Sequence, residues 1–154
     1  MKKFLIGTLV IMVLGAGYWL ISPFWRTEKV FEALPTPASN VGPETANEVV
    51  EIKTGAFAGF DSLHTGSGTA RLIKIGDKNY IRFEEDFTVQ NGPDLYVGLG
   101  ENGKYIKGSE LAALKGNVGS QNYELPPGMN PENIKEIWIW CRAFSVPFAR
   151  AELN

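Results

Sequence analysis

Two residue types able to bind metals or carry redox chemistry are nearly absent: the 154 residues hold one cysteine, Cys141, and one histidine, His64. A single thiol rules out an intramolecular disulfide, so an exported domain would rely on packing alone. The same counts exclude a type-1 copper site, a structural zinc site and an iron–sulfur cluster, each of which needs more sulfur or imidazole ligands. There is no CxxCH for covalent haem attachment. Non-covalent haem survives the count, with His64, Cys141 or Met129 as axial ligands, but no spacing asks for it. No basic run follows Lys2 and Lys3, and the formal net charge is −2, so the electrostatic footprint of a nucleic-acid binder is missing. Ser62 and Ser67 flank His64, yet the chain has no GxSxG elbow, which removes the serine-hydrolase reading. Glu84, Glu85, Asp86 and Asp94 are close in sequence without the spacing of a calcium loop.

What is present begins with an uncharged run from Phe4 to Ile21. As a helix it would rise about 27 Å, close to the ~30 Å of a bilayer core. Lys2 and Lys3 favour a cytoplasmic N-terminus, Arg26 and Lys29 weaken that bias, and Tyr18, Trp19, Phe24 and Trp25 gather where a headgroup zone would lie. Pro23 closes the helix. Residues 1–25 are therefore expected to be a retained membrane anchor. The alternative is a cleaved signal peptide using the small residues Gly15, Ala16 and Gly17. Residues 26–48 carry Pro35, Pro37 and Pro43 and almost no periodicity, as expected of a linker.

From Val49 the pattern changes to short apolar strands between glycine, asparagine and proline turns, which predicts an all-β domain over 49–154. Strands are expected at 49–53, 69–75, 80–89, 94–99, 118–124, 137–144 and 147–153. Their number suits an antiparallel two-sheet sandwich or, as the alternative, a closed barrel. Ser109 to Lys115 has room for a helical turn or two, and Asn130-Pro131 is an N-cap followed by proline that starts a short turn.

The stretch IWIWCRAFSVPF, residues 137–148, concentrates the chemistry. A period of two puts Ile137, Ile139 and Cys141 on one face and Trp138, Trp140, Arg142 and Phe144 on the other. Both faces are largely apolar, which predicts a central strand with Cys141 in the interior. A buried cysteine is commonly a small core residue, and a reactive one needs a nearby positive group to offset burial. In YIRFEEDFTV the same parity carries Glu85 inward with Ile81, Phe83 and Phe87, and leaves Arg82, Glu84 and Asp86 on a solvated face, unless a bulge turns Glu85 out. His64 sits in a loop-like run of small polar residues. Asn91-Gly92-Pro93-Asp94 reads as a hairpin turn.

Taken together, GAFAGFDSLHTGSGTARL, YIRFEEDF, NGPDLYV, LKGNVGSQNYEL and IWCRAFSVPFARAEL, in that order, resemble a DM13 domain over about two thirds of the chain. The resemblance implies a β-rich extracytoplasmic domain, related in context to DOMON-type cytochrome modules, with a cysteine proposed to serve electron transfer. The matching position is Cys141. The expectation is thus a single-pass membrane protein whose domain faces the periplasm or cell surface, in contact with a redox partner protein and not with nucleic acid. It would be an electron-transfer or binding module rather than an enzyme with its own turnover. Cys141 is the expected redox residue, with Trp140, His64 and Glu85 beside a cofactor that the resemblance does not name. The alternative is a non-catalytic binding or surface-interaction module in which Cys141 is core.

Overall fold

The computed structural model describes residues 2–21, 27–36 and 48–154. Its first element is a helix, α1 (Lys2–Ile21), over the uncharged run. The aliphatic side chains described along it, Leu9 to Leu14, are exposed. Among the described residues no helix is long and apolar enough to cross a membrane. Pro23, Phe24, Trp25 and Arg26, and the prolines at 37 and 43, lie outside the described residues.

Among the described residues eleven strands follow: β1 (Val49–Gly59), β2 (Gly66–Ser67), β3 (Thr69–Ile75), β4 (Lys78–Phe83), β5 (Thr88–Val89), β6 (Leu95–Glu101), β7 (Lys104–Tyr105), β8 (Ala112–Ala113), β9 (Gln121–Glu124), β10 (Glu136–Cys141) and β11 (Val146–Glu152). The all-β, antiparallel expectation holds, but the two-sheet sandwich does not. Nine strands form one curled half-barrel sheet in the order β7-β6-β10-β11-β1-β3-β4-β9, with β8 also on β6, and β2 and β5 make a separate ribbon. The physical reason lies in β1. Its residues 49–56 pair with β3 and its residues 57–59 pair with β11, so one long strand carries the sheet round a corner where two facing sheets would have needed two strands. A register shift between Glu51 and Lys53 adds twist to that strand. The β7 and β9 ends do not pair with one another, so the barrel stays open.

The concave side is filled by Phe57, Phe83 and Phe87, whose ring centroids lie 4.6–5.1 Å apart, with Tyr123 5.2 Å from Phe83. Each buried phenylalanine contributes roughly 1.5–3 kcal/mol by removal from water. Leu72, Ile81, Val97, Ile137 and Ile139 complete the floor with no exposed surface.

Three expectations change here. The strand expected at 80–89 breaks after Phe83, because Phe87 N–H bonds Glu84 O at 3.0 Å and closes a turn. Glu85 lies on that turn and is exposed, so the inward reading of Glu85 fails through a turn rather than a bulge. Ser109 to Lys115 is not helical: β8 pairs Ala112 and Ala113 with Val97 and Tyr96. Asn130, by contrast, caps a single 3₁₀ turn, Pro131–Asn133, accepting from the Glu132 amide at 3.0 Å.

The third change concerns residues 27–36. Although they begin the stretch read as linker, they dock on the domain beside 117–120. Val30 N–H donates to Val118 O and Glu32 N–H to Ser120 O, both at 2.9 Å, and Asn117 N–H donates to Glu28 O at 3.0 Å. Gly119, with φ +97°, admits the Val30 carbonyl where a Cβ would stand. The Glu32 carboxylate takes Lys115 Nζ at 2.7 Å and the Asn122 amide at 2.7 Å. This cover buries Arg82, expected on a solvated face: its guanidinium bonds Glu84 at 3.0 Å, Asn122 at 2.9 Å and the Glu32 carbonyl at 3.3 Å.

Candidate functional site

The alternation expected along β10 is what the fold shows, with Ile137, Ile139 and Cys141 fully buried on the core side. The strand is central, between β6 and β11. Cys141 is opposite Leu95 on β6 and Val146 on β11, and it closes β10 where the exposed turn 142–145 begins. The register with β11 slips between Ile139 and Trp140, and the extra residue, Phe148, turns inward against Gly92.

The sulfur sits between two loops. Cys141 Sγ donates to the Pro93 carbonyl at 3.0 Å. Burial pushes the thiol up from its ordinary value of 9.0, the backbone amides of Phe144 and Ala143 in the following turn pull partly the other way, and the Asp94 charge adds to the rise. The resting group is therefore a thiol. The cation next to it in the chain is committed elsewhere: Arg142 grips Asp94 through two bonds of 3.0 and 3.2 Å and lies 4.3 Å over the Tyr96 ring. Asp94 itself adopts φ +61°, a left-handed conformation that aspartate tolerates better than most residues, and accepts the Arg142 amide on its carbonyl at 3.1 Å. Pro93 and Asp94 thus hold the cysteine and the start of its turn.

The other expected residues are not gathered round the sulfur. Trp140 is on the opposite face of the sheet from Cys141, as its parity requires. His64 Nδ1 bonds Asp61 at 2.8 Å, and its ring meets Phe148 edge-on at 4.8 Å. Met129 lines a cleft with Leu99 and Ile106. The three conceivable haem ligands are each engaged separately. Among the described residues no three metal-ligating side chains converge.

The outer face of β10 carries a second feature that residue periodicity only half disclosed. Trp140 stacks flat on Tyr105 of β7, centroids 4.2 Å apart and planes 1° from parallel. Trp138 lies 6.1 Å from Tyr105 and 5.2 Å from Phe60. The rings lie down because β6 offers Gly98 and Gly100 on that face. A Cβ at Gly98 would stand 2.7 Å from Tyr105 Cε2, and one at Gly100 would stand 2.6 Å from Trp138 Cδ1 and closer still to its Nε1. Glu136, a residue sequence reasoning passed over, anchors the arrangement from a buried position: it accepts Trp138 Nε1 at 2.8 Å and the Gly103 amide at 2.7 Å, with Arg150 at 3.7 Å. Burial pushes the Tyr105 phenol up to about 12, helped by nearby Glu110. Neither Glu110 nor Ser109 reaches hydrogen-bonding geometry with it.

Comparison with known proteins adds one finding. The family model described as "Electron transfer DM13" matches residues 59–153, more than half of the chain. No curated protein and no solved structure matches.

Proposed function

We propose, from the premise that this chain belongs to the DM13 electron-transfer family, that it is a membrane-anchored extracytoplasmic electron-transfer module whose redox-responsive group is Cys141. The observation that carries the thiol's part is the placement of the sulfur: Cys141 Sγ donates to the Pro93 carbonyl at 3.0 Å at the end of β10, where the exposed turn 142–145 begins. A thiol that already donates to a fixed acceptor beside an exposed turn has a route for its proton when the sulfur is oxidised, which a cysteine packed in mid-strand lacks. Because the resting group is a protonated thiol, loss of electrons must be accompanied by loss of the proton now shared with the Pro93 carbonyl. The turn 142–145 is the exposed cover through which that proton and a partner reach the sulfur. Complete burial and the raised thiol support the second reading, a binding module in which Cys141 is packing.

Cys141→Ala separates the two. Removing one sulfur should cost on the order of 1 kcal/mol and lower Tm by a few degrees, so the variant stays folded. The redox reading expects it to lose the thiol oxidation wave in protein-film voltammetry and to fail to complement a deletion. In the wild type, alkylation of the folded thiol should keep accelerating above pH 9.0, because the thiolate fraction still grows there. The sign for stability is the same: a raised thiol stabilises the fold at lower pH, and that contribution is lost as pH rises through the folded value. A folded Cys141→Ala protein that complements fully would end the redox reading and leave the binding module.

The uncharged run Phe4 to Ile21 supports the membrane placement. The full chain is expected to stay with membranes through carbonate extraction. Recovery of a mature form beginning near Tyr18 would show a cleaved leader instead.

A further inference from the structure

The outer face of β10 holds a cavity of about 500 Å³, within the range of small-molecule sites. Trp138, Trp140 and Tyr105 form its aromatic part, and Lys104, Lys107 and Arg142 its charged part. Among the described residues the lining contains no Asp, Glu, Asn or Gln side chain, so every charged group they present to the cavity is cationic. Arg142 is satisfied by Asp94, whereas Lys104 and Lys107 enter no ion pair among the described residues. Such a surface recognises flat ring systems through its indoles and anions through its ammonium groups. A cation would be repelled, and a neutral sugar would find few acceptors.

We infer that this cavity binds a planar conjugated ring system bearing an anionic tail, the chemical form of flavin mononucleotide. The rings rest against the Trp140–Tyr105 stack, with the buried Trp138 beside it, and the tail reaches Lys104 and Lys107. Gly98 and Gly100 support this site from behind, since they admit Tyr105 and Trp138 flat against β6. The inference deepens the electron-transfer reading by naming a class of carrier for the face opposite the thiol. It does not depend on Cys141, which lies on the core side, so the two proposals fail separately.

The test uses the full chain in detergent micelles, titrated with flavin mononucleotide, with riboflavin as the same ring without the phosphate, and with inorganic phosphate, following quenching of tryptophan emission. Flavin mononucleotide is expected to bind about tenfold more tightly than riboflavin, the size of effect two exposed charge contacts supply. Raising salt from ~0.05 to ~0.5 M should narrow that gap by screening. The double variant Lys104→Gln/Lys107→Gln, altered only at exposed side chains, should bind both flavins alike, and Trp140→Leu should weaken both. Phosphate alone should quench nothing. Absence of quenching by flavin mononucleotide up to about 1 mM, or equal affinities that the lysine changes leave untouched, would overturn the assignment. The lysine variant keeps the test decisive even if Trp140→Leu does not fold.

Discussion

Gly100→Ala is expected to cost the domain about 3 kcal/mol or more and to lower Tm by roughly 10–20 °C, an unusually large effect for one methyl group. In most strands the same change would help, since glycine gives up more conformational freedom on folding than alanine, by roughly 0.5–1 kcal/mol. Here the new Cβ stands within 2.6 Å of Trp138 Cδ1 and 2.7 Å of the Lys104 carbonyl. One of these is a backbone atom and cannot rotate away. The other belongs to an indole that is 3% exposed and held by Glu136. Displacing Trp138 breaks its 2.8 Å bond to Glu136 and leaves a buried carboxylate short of a donor, which itself costs about 1–3 kcal/mol. Urea or thermal melts of the domain read the effect directly. A variant as stable as the wild type would mean that Trp138 has a second position open to it, and that the flat aromatic face does not need the glycine.

Removing residues 1–47 is expected to cost about 3 kcal/mol or more relative to a chain beginning at Thr27. Read as linker, residues 27–47 should be dispensable. The structure ties 27–36 to the domain by backbone bonds at Val30 and Glu32 and by the Glu32 carbonyl, which receives Ser120 Oγ at 3.0 Å as well as Arg82. Loss of the segment uncovers a buried guanidinium and leaves four backbone groups of residues 117–120 to water, each net bond being worth about 1 kcal/mol. The segment should also be sensitive to acid. Burial alone would raise the Glu32 carboxyl, but Lys115 and Asn122 outweigh it and hold the group below its ordinary value of 4.5. A depressed carboxyl gives stability that is present above the unfolded value and lost as pH falls through the folded one. Amide exchange at Val30 and Glu32 should therefore quicken below about pH 4 before the core exchanges. Equal stability of the two chain lengths would show that the docked segment contributes nothing.

Much of β10 was legible because alternation is a local property. Once Ile137, Trp138, Ile139, Trp140 and Cys141 are placed in an extended strand, the pleat decides which side each takes, and no other part of the chain can change that parity. The turn at Asn130-Pro131 was legible for a similar reason, since an N-cap and a fixed proline φ act within four residues. β3 fell on the expected residues, 69–75, because turn signals bound it at both ends. Parity misled at Glu85, because it holds only while the strand continues, and a single hydrogen bond from Phe87 to Glu84 ended it. The motifs that resemble DM13 were read correctly, and they carried the family but not the arrangement around the sulfur.

The sequence by itself determined that the chain is all-β beyond Val49, that Cys141 and Trp140 face opposite ways, and that multi-thiol metal chemistry is excluded, because composition and pleat are properties of the chain alone. Tertiary structure decided the rest. β1 makes one curled sheet of what reads as two because its two ends find different partners far apart in sequence. Arg82 is buried because a segment fifty residues earlier lies over it, and the Cys141 sulfur faces the Pro93 carbonyl because a loop 48 residues away closes on it. Such contacts depend on which distant surfaces meet when apolar area is removed from water, and no local pattern in the chain encodes that choice.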